Sequence, residues 1–484
     1  MHGDSLRSLL KLLESKDKSN FRIDNQLADN ELNALIELGK LMHHTFPLRI
    51  NPKHCLPSGY TYLGQFIDHD LIFSMNGCPV GHDACQPPIG FESKLNLSAV
   101  YGDIRNRATF AKLDYIDQLS GQFLDIPKGN LGLQPIPDPR NNENLLISQL
   151  HLQFIKLHNK FIDEGLTFKQ ARDESIAIYC SIVLHDFLKK ILYKSVWEVY
   201  FGTNNYLNKS DIFYKPFSQH PIPPEFSKAA FRFGHSMIKK EYNINNTPGG
   251  KNLIKLKQML GKHLLSNTLT NHYVVDWELF FGGSDRYHKQ PLNRAKAISP
   301  AFNLEVDEIG DNHLPATNQP DILNLIAVRN LLRGKVEKLA DFNTLAKKTL
   351  KFIDERIHLI NAPNPDQSSL GDIKNKIDFF INNENWLKPK LKSTSHNTSP
   401  AFCDLDSKHQ EIITKSPPLW YGILCESHYF KGPNKFRLRT PGLGPVGSII
   451  IAETFSHLLD LQQTLTARNN IKTMVDLLKF LKGA

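Results

Sequence analysis

Gly64-Gln65-Phe66-Ile67-Asp68-His69-Asp70 places ionisable side chains inside a run otherwise built from Tyr62, Leu63, Phe66, Ile67, Leu71, Ile72 and Phe73. On a helix, Gln65, Asp68 and His69 fall at i, i+3 and i+4 and share one face. An amide, a carboxylate and an imidazole on one face of an apolar helix are costly unless something polar meets them. A buried, hydrogen-bonded His–Asp pair would satisfy that requirement. So would a polar group bound from outside, and the surrounding sequence has to decide between them.

Upstream, residues 5–45 carry two short helical patterns, the second being Leu32-Leu35-Ile36-Leu38-Leu41-Met42, and a Pro/His/Gly-rich entry runs from Pro47 to Gly59. Downstream, residues 76–95 are loop-like, and Leu95 to Asp103 is a short apolar segment ending in a turn. Leu145, Leu146, Leu150, Phe154, Leu157 and Phe161 recur at spacings of three and four, predicting a helix over 142–166 capped by Asn141 or Asn142. A further helical stretch is expected over Ala171–Val199, others over Asp321–Leu339 and Ser448–Leu459, and residues 384–400 read as a polar connector. Helices alternate with irregular loops without a βαβ rhythm, which predicts a mainly α fold with little β. No internal repeat and no clean linker divide the chain. The expected organisation is an N-terminal helical extension (1–45), one large helical domain (46–465) and a C-terminal helical tail (466–484).

The 484 residues are 40% hydrophobic and 22% charged, which excludes a disordered chain. A net charge of +9 suits anionic partners weakly, but no Lys/Arg block is dense enough to argue for nucleic acid. The six cysteines do not make a disulfide scaffold, although Cys78 and Cys85 flank a turn and are close enough in sequence to pair. His54, Cys55, Cys78, His82 and Cys85 match no standard zinc spacing. No run of about 18 apolar residues predicts a bilayer span. The amphipathic start Ser5–Leu13, interrupted by cations, lacks the features of a secretory signal, so a cytoplasmic protein is expected, with signal-independent export left open. Gly442-Leu443-Gly444-Pro445-Val446-Gly447 satisfies a dinucleotide-binding fingerprint letter for letter. It follows a basic segment rather than an apolar strand and contains Pro445, so nucleotide binding is not expected there.

The polar residues suit oxygen–oxygen cleavage at a haem iron. That chemistry needs an iron ligand on one side of the porphyrin, with a base and a cation on the other. Gly64–Asp70 resembles the distal helix of the animal-type haem peroxidases, the peroxidase–cyclooxygenase superfamily. Asp138-Pro139-Arg140-Asn141-Asn142-Glu143-Asn144, with His151 and His158-Asn159 beyond it, resembles the family's second distal motif. Ala230-Phe231-Arg232-Phe233-Gly234-His235 resembles its proximal-histidine motif, and Arg329-Asn330-Leu331-Leu332-Arg333-Gly334 the segment supporting it. Leu419-Trp420-Tyr421 and Leu443–Gly447 match late blocks as bacterial-type members carry them. The likeness spans roughly residues 45–465, and the order of its motifs makes it more specific than any one of them.

The resemblance implies a b-type haem held by His235 as iron ligand, with Asn330 accepting its ring N–H and Arg333 pairing with a propionate. His69 would be the distal acid–base, Arg140 the cation polarising the peroxide, and Gln65 the lining of the distal water or halide position. Asp68 and Glu143 match the carboxylates that become ester-linked to haem methyl groups. Asn144 stands where a methionine would give a sulfonium link. The implied activity is reduction of hydrogen peroxide through a ferryl intermediate, with oxidation of a small anion (halide or thiocyanate) or an aromatic donor, as in a response to oxidative stress. Alternatives are a fatty-acid dioxygenase of the same superfamily and an inactive interaction module retaining the fold. For a dioxygenase, Val275 stands where a radical tyrosine would be needed. The family's calcium site joins Asp70 to a loop that here reads Ser93-Lys94-Leu95-Asn96-Leu97-Ser98. With Asn96 for an aspartate and Lys94 beside it, a tight calcium site is not expected. His151 and His158 are read as packing residues.

Overall fold

The computed structural model describes residues 24–44, 55–72, 93–102, 111–117, 124–127, 136–203, 206–214, 222–247, 250–260, 271–283, 292–302, 325–360, 368–383, 386–387, 401–429, 442–460 and 470–483. Cys78, Cys85 and most of the 76–95 and 384–400 segments lie outside them. Helices dominate, and the strands form two small antiparallel pairs, Ile116–Asp117 with Leu124–Asp125 and Glu241–Thr247 with Gly250–Lys255. The mainly α architecture is therefore as expected. Among the described residues no helix is long and apolar enough to cross a membrane.

The opening stretch forms the Gly59–Leu71 helix. Its apolar positions Leu63, Phe66 and Ile67 are buried, and it packs against the Leu145–Asp163 helix and the Ala230–Met237 turn. Phe66 lies flat on Phe154, ring centroids 4.9 Å apart. Such a stacked pair adds about 0.5–1.5 kcal/mol beyond its buried area.

The long helix begins later than its periodicity suggests. Pro139–Asn142 is a 3-10 turn capped by the Asp138 carboxylate, and Asn144, not Asn141 or Asn142, caps Leu145–Asp163 by accepting from Ile147 N at 2.9 Å. Asn141 is thereby released for another task. The stretch expected as one helix over 171–199 is also interrupted. Phe168–Ile182 is α-helical with a Thr167/Gln170 capping box, Val183–Leu188 widens to a π-helix, and a new helix runs from Lys194 to Phe201. The wide turn carries Asp186 inward, where it accepts from Tyr60 Oη (2.8 Å), Lys190 Nζ and Met474 N (2.9 Å). These bonds tie the Gly59–Leu71 helix to the start of the Met474–Lys482 helix.

The Ile326–Val336 helix lies against the Asp24–His44 helix. A side chain at Gly39 would stand 2.6 Å from Val328 Cγ2 and 2.8 Å from Val328 N, so this crossing needs glycine. The false dinucleotide fingerprint has a similar explanation. A Cβ at Gly442 would meet the Ile191 carbonyl oxygen at 2.2 Å, and one at Gly444 would meet Glu426 Cγ at 2.4 Å. Glu426 accepts from Val446 N (3.0 Å) and Gly447 N (3.3 Å), so an internal carboxylate occupies the N-terminus of the Pro445–Asp460 helix. Burial pushes that carboxyl up to about 8.

Candidate haem site

Three segments distant in sequence meet around the polar face of the Gly59–Leu71 helix. His69 is buried, and its Nδ1 lies 2.7 Å from Asn141 Oδ1. Its Nε2 faces the Glu143 carboxylate at 3.8 Å. Gln65 Nε2 donates to Glu143 Oε1, and Asn144 Nδ2 reaches Gln65 Oε1 at 3.5 Å. Burial, reinforced by the Arg140 charge, holds the His69 imidazole down at about 4. Asp138, Asp68 and the Asn141 bond pull the other way without overcoming it. At neutral pH His69 is therefore a neutral imidazole.

Arg140 is more tightly engaged than its motif suggests. It grips Asp138 through Nε (3.0 Å to Oδ1) and Nη2 (2.6 Å to Oδ2). It also donates from Nη1 to Ile72 O (2.6 Å) and from Nη2 to His69 O (2.7 Å). The guanidinium thus neutralises a buried carboxylate and clamps the C-terminal carbonyls of the helix that carries His69. Burial alone would raise the Asp138 carboxyl, but the Arg140 bonds and charge outweigh it and hold Asp138 below its usual range. Asp138 is a site residue to which the sequence reading assigns no role.

Across from this wall, the 3-10 turn Ala230–Met237 carries His235. The turn is anchored by Arg232 Nε donating to Ser227 O at 2.9 Å and by Trp420 Nε1 donating to Arg232 O at 3.2 Å. Asn330 on the Ile326–Val336 helix meets His235 as expected, Nδ2 standing 2.9 Å from Nδ1. The direction differs from expectation, because Arg333 Nη1 donates to the Asn330 oxygen at 3.2 Å and turns the amide nitrogen toward the ring. Asn330 is then the donor and His235 Nδ1 the acceptor. Burial first, then the charges of Arg232, Arg333 and Arg329, hold His235 well below the usual histidine value. Burial and the neighbouring Arg232 and Arg329 likewise disfavour charge on Arg333, with Asp68 and Glu337 opposing them. Arg333 Nε is buried without a hydrogen-bond partner among the described residues.

A haem fits these residues. A neutral imidazole supported by an amide is the donor set for an iron ligand, and the mutually repelling guanidiniums with an unused Nε suit a ligand bearing two carboxylates. Asp68 stands in the electrostatic field of Arg140 on one side and of Arg232 and Arg333 on the other, between the two walls.

Calcium does not fit. Both Asp70 oxygens are taken by donors: Oδ2 by Asn96 N (3.0 Å) and Leu97 N (3.1 Å), Oδ1 by Ser98 N (2.7 Å) and Ser98 Oγ (2.9 Å). Leu97 adopts a left-handed conformation (φ 53°) that aims these N–H groups at the carboxylate. A calcium ion needs oxygens pointing inward, and this loop turns its N–H groups inward. Burial pushes the Asp70 carboxyl up to about 6 against those hydrogen bonds.

His158 is structural as expected, with Nδ1 3.2 Å from Tyr101 Oη and Nε2 3.3 Å from Ala111 O. His151 is different: its Nδ1 lies 2.9 Å from Asn141 Nδ2, joining it to the His69 network. Val275 is buried, and the backbone beside it pairs with the Glu241–Thr247 strand through Asp276 N donating to Ile244 O at 2.7 Å.

Residues 128–351 match the family described as animal haem peroxidase. No match is found among curated protein sequences. Among solved structures, peroxidase A of Dictyostelium discoideum is similar over 92% of this chain and 88% of its own, with 14% identity and a TM-score of 0.51, which is a likeness of fold. The fatty acid alpha-dioxygenase of Oryza sativa is 14% identical over 90% of this chain and 73% of its own (TM-score 0.46). That of Arabidopsis thaliana is 13% identical over 90% and 72% (TM-score 0.47). With its motifs gathered around one site, this chain is similar over residues 128–351 to the animal haem peroxidase family.

Proposed function

We propose that the protein is a haem-dependent peroxidase that reduces hydrogen peroxide and oxidises a small anion or an aromatic donor. The observation that carries this reading is that two neutral imidazoles lie on elements packed against each other, His235 on Ala230–Met237 supported by the Asn330 amide amid arginines and His69 on Gly59–Leu71 beside the fixed Arg140 guanidinium. Haem, when bound, supplies the iron at which the oxygen–oxygen bond breaks. The protein's own contribution is proton management. His69 Nε2 takes a proton from peroxide and returns it to the departing oxygen. The Arg140 charge stabilises the negative charge that develops, and the Asp138 grip keeps that charge in place. Gln65 holds the Glu143 side of the pocket. His235 would hold the iron with Asn330 supporting its ring, and Arg333 would be the donor for a propionate. Asp68 and Glu143 are the candidates for ester links. Each would offer a carboxylate to a haem methyl.

Stopped-flow mixing of the reconstituted protein with peroxide tests the reading. His69→Ala keeps its haem and slows the reaction by roughly 10²–10⁴-fold, the range of general acid–base contributions. A His69→Ala protein reacting as fast as wild type would remove the proposal.

A further inference from the structure

Behind His69 lies a second layer of buried polar groups that the family reading does not use. Asn141 is fully buried, with its Oδ1 2.7 Å from His69 Nδ1 and its Nδ2 2.9 Å from His151 Nδ1. His151 is also fully buried, packed edge-on against Phe66, and its Nε2 has no hydrogen-bond partner among the described residues. An unpartnered buried nitrogen is costly, on the order of 1–3 kcal/mol, and a purely structural position would be filled better by leucine or phenylalanine. With the amide oxygen toward His69 and its nitrogen toward His151, the protons in the chain follow. An amide oxygen only accepts, so His69 Nδ1 carries its hydrogen and Nε2 presents a lone pair toward the pocket. An amide nitrogen only donates, so His151 Nδ1 accepts and its own hydrogen lies on Nε2.

We infer that Asn141 and His151 are positioning residues that set the tautomer of His69. Asn141 holds Nδ1 as the protonated nitrogen and receives its hydrogen bond when the ring becomes imidazolium. His151 accepts from the Asn141 amide nitrogen, so the amide turns only if His151 also moves its proton to Nδ1. A rotated amide would put the hydrogen on Nε2 and leave no base facing peroxide. The 3-10 turn makes this possible, since Asn144 caps the following helix and leaves Asn141 free to reach inward. The inference rests on the peroxidase reading and deepens it.

The test uses haem-reconstituted protein and reads two quantities against pH: the bimolecular rate with peroxide, and cyanide binding to the ferric form. Cyanide binding also needs a distal proton acceptor but involves no turnover. The charged groups around His69 are Asp68 on its own helix, Asp138, Arg140 and Glu143 on the adjoining turn, and Arg232 on Ala230–Met237. All are left intact. Asn141→Ala lowers the peroxide rate on the order of 100-fold and moves the distal ionisation down. The isosteric Asn141→Asp, with a carboxylate as acceptor, moves it up by on the order of one pH unit. Shifts of opposite sign are not what loosened packing gives. His151→Leu falls between wild type and Asn141→Ala, and Asn141→Ala adds nothing in a His69→Ala background. If His69→Ala is slow while both Asn141 variants keep the wild-type pH profile, the relay is refuted and the peroxidase reading stands. If His69→Ala itself reacts at the wild-type rate, the peroxidase reading falls and takes the relay with it.

Discussion

The walls carrying His69 and His235 solve opposite electrostatic problems. Around His69 the cation has an internal partner: Arg140 is neutralised by Asp138 and spends further donors on the His69 and Ile72 carbonyls. Around His235, Arg232 stands close enough to disfavour charge on Arg333, whose buried Nε has no hydrogen-bond partner among the described residues. The first cluster pairs its cation with a carboxylate. The second gathers like charges and suits a negatively charged ligand. A site that must hold an anionic cofactor and still position a proton acceptor divides the work in this way.

Breaking the Asp138–Arg140 pair has the largest expected effect, because it leaves a buried guanidinium uncompensated. Asp138→Asn is expected to destabilise the protein by about 3–5 kcal/mol, measured by denaturant unfolding, and to loosen the end of the Gly59–Leu71 helix in hydrogen exchange. A smaller effect is expected at Asp70, whose four donors replace a metal. Asp70→Asn costs about 1–3 kcal/mol by leaving buried donors poorly matched, whereas adding EGTA or calcium leaves the wild-type melting curve unchanged. A chelator that lowers the melting temperature would contradict the hydrogen-bond account of this loop. The smallest effect sharpens the contrast most. Arg333→Leu removes a self-repelling charge, so the haem-free protein gains stability, by about 1 kcal/mol, while haem retention falls roughly 10-fold or more. Loss on both counts would mean that the arginine cluster is satisfied without a ligand.

The amino-acid sequence carried much of this arrangement. The helix of Leu145, Phe154 and Phe161 and the polar face of Gln65, Asp68 and His69 follow from spacing, and the pairing of His235 with Asn330 from the family resemblance. What stayed hidden depends on contacts no local pattern encodes. Asp138 reads as a capping residue beside a proline, and only folding brings Ile72 and the His69 carbonyl to Arg140. Asn141 and Asn142 read as the caps in sequence, and the 3-10 turn Pro139–Asn142 shifts the cap to Asn144 and releases Asn141. The interval of ten residues between Asn141 and His151 spans a turn and a helix start, so no periodicity reports it. A signal was present all the same, since His151 is a polar residue on the most apolar face of its helix. The glycines at 442, 444 and 447 show the reverse error, a ligand-binding pattern produced by close packing against Ile191, Glu426 and Ile423.

Haem titration monitored by absorption tests the central claim most directly. The wild-type protein is expected to bind one equivalent and develop a Soret band characteristic of histidine-ligated iron, while His235→Ala, folded by circular dichroism, loses that spectrum. A wild-type protein that develops no Soret band, or a His235→Ala variant whose spectrum matches wild type, would contradict the account.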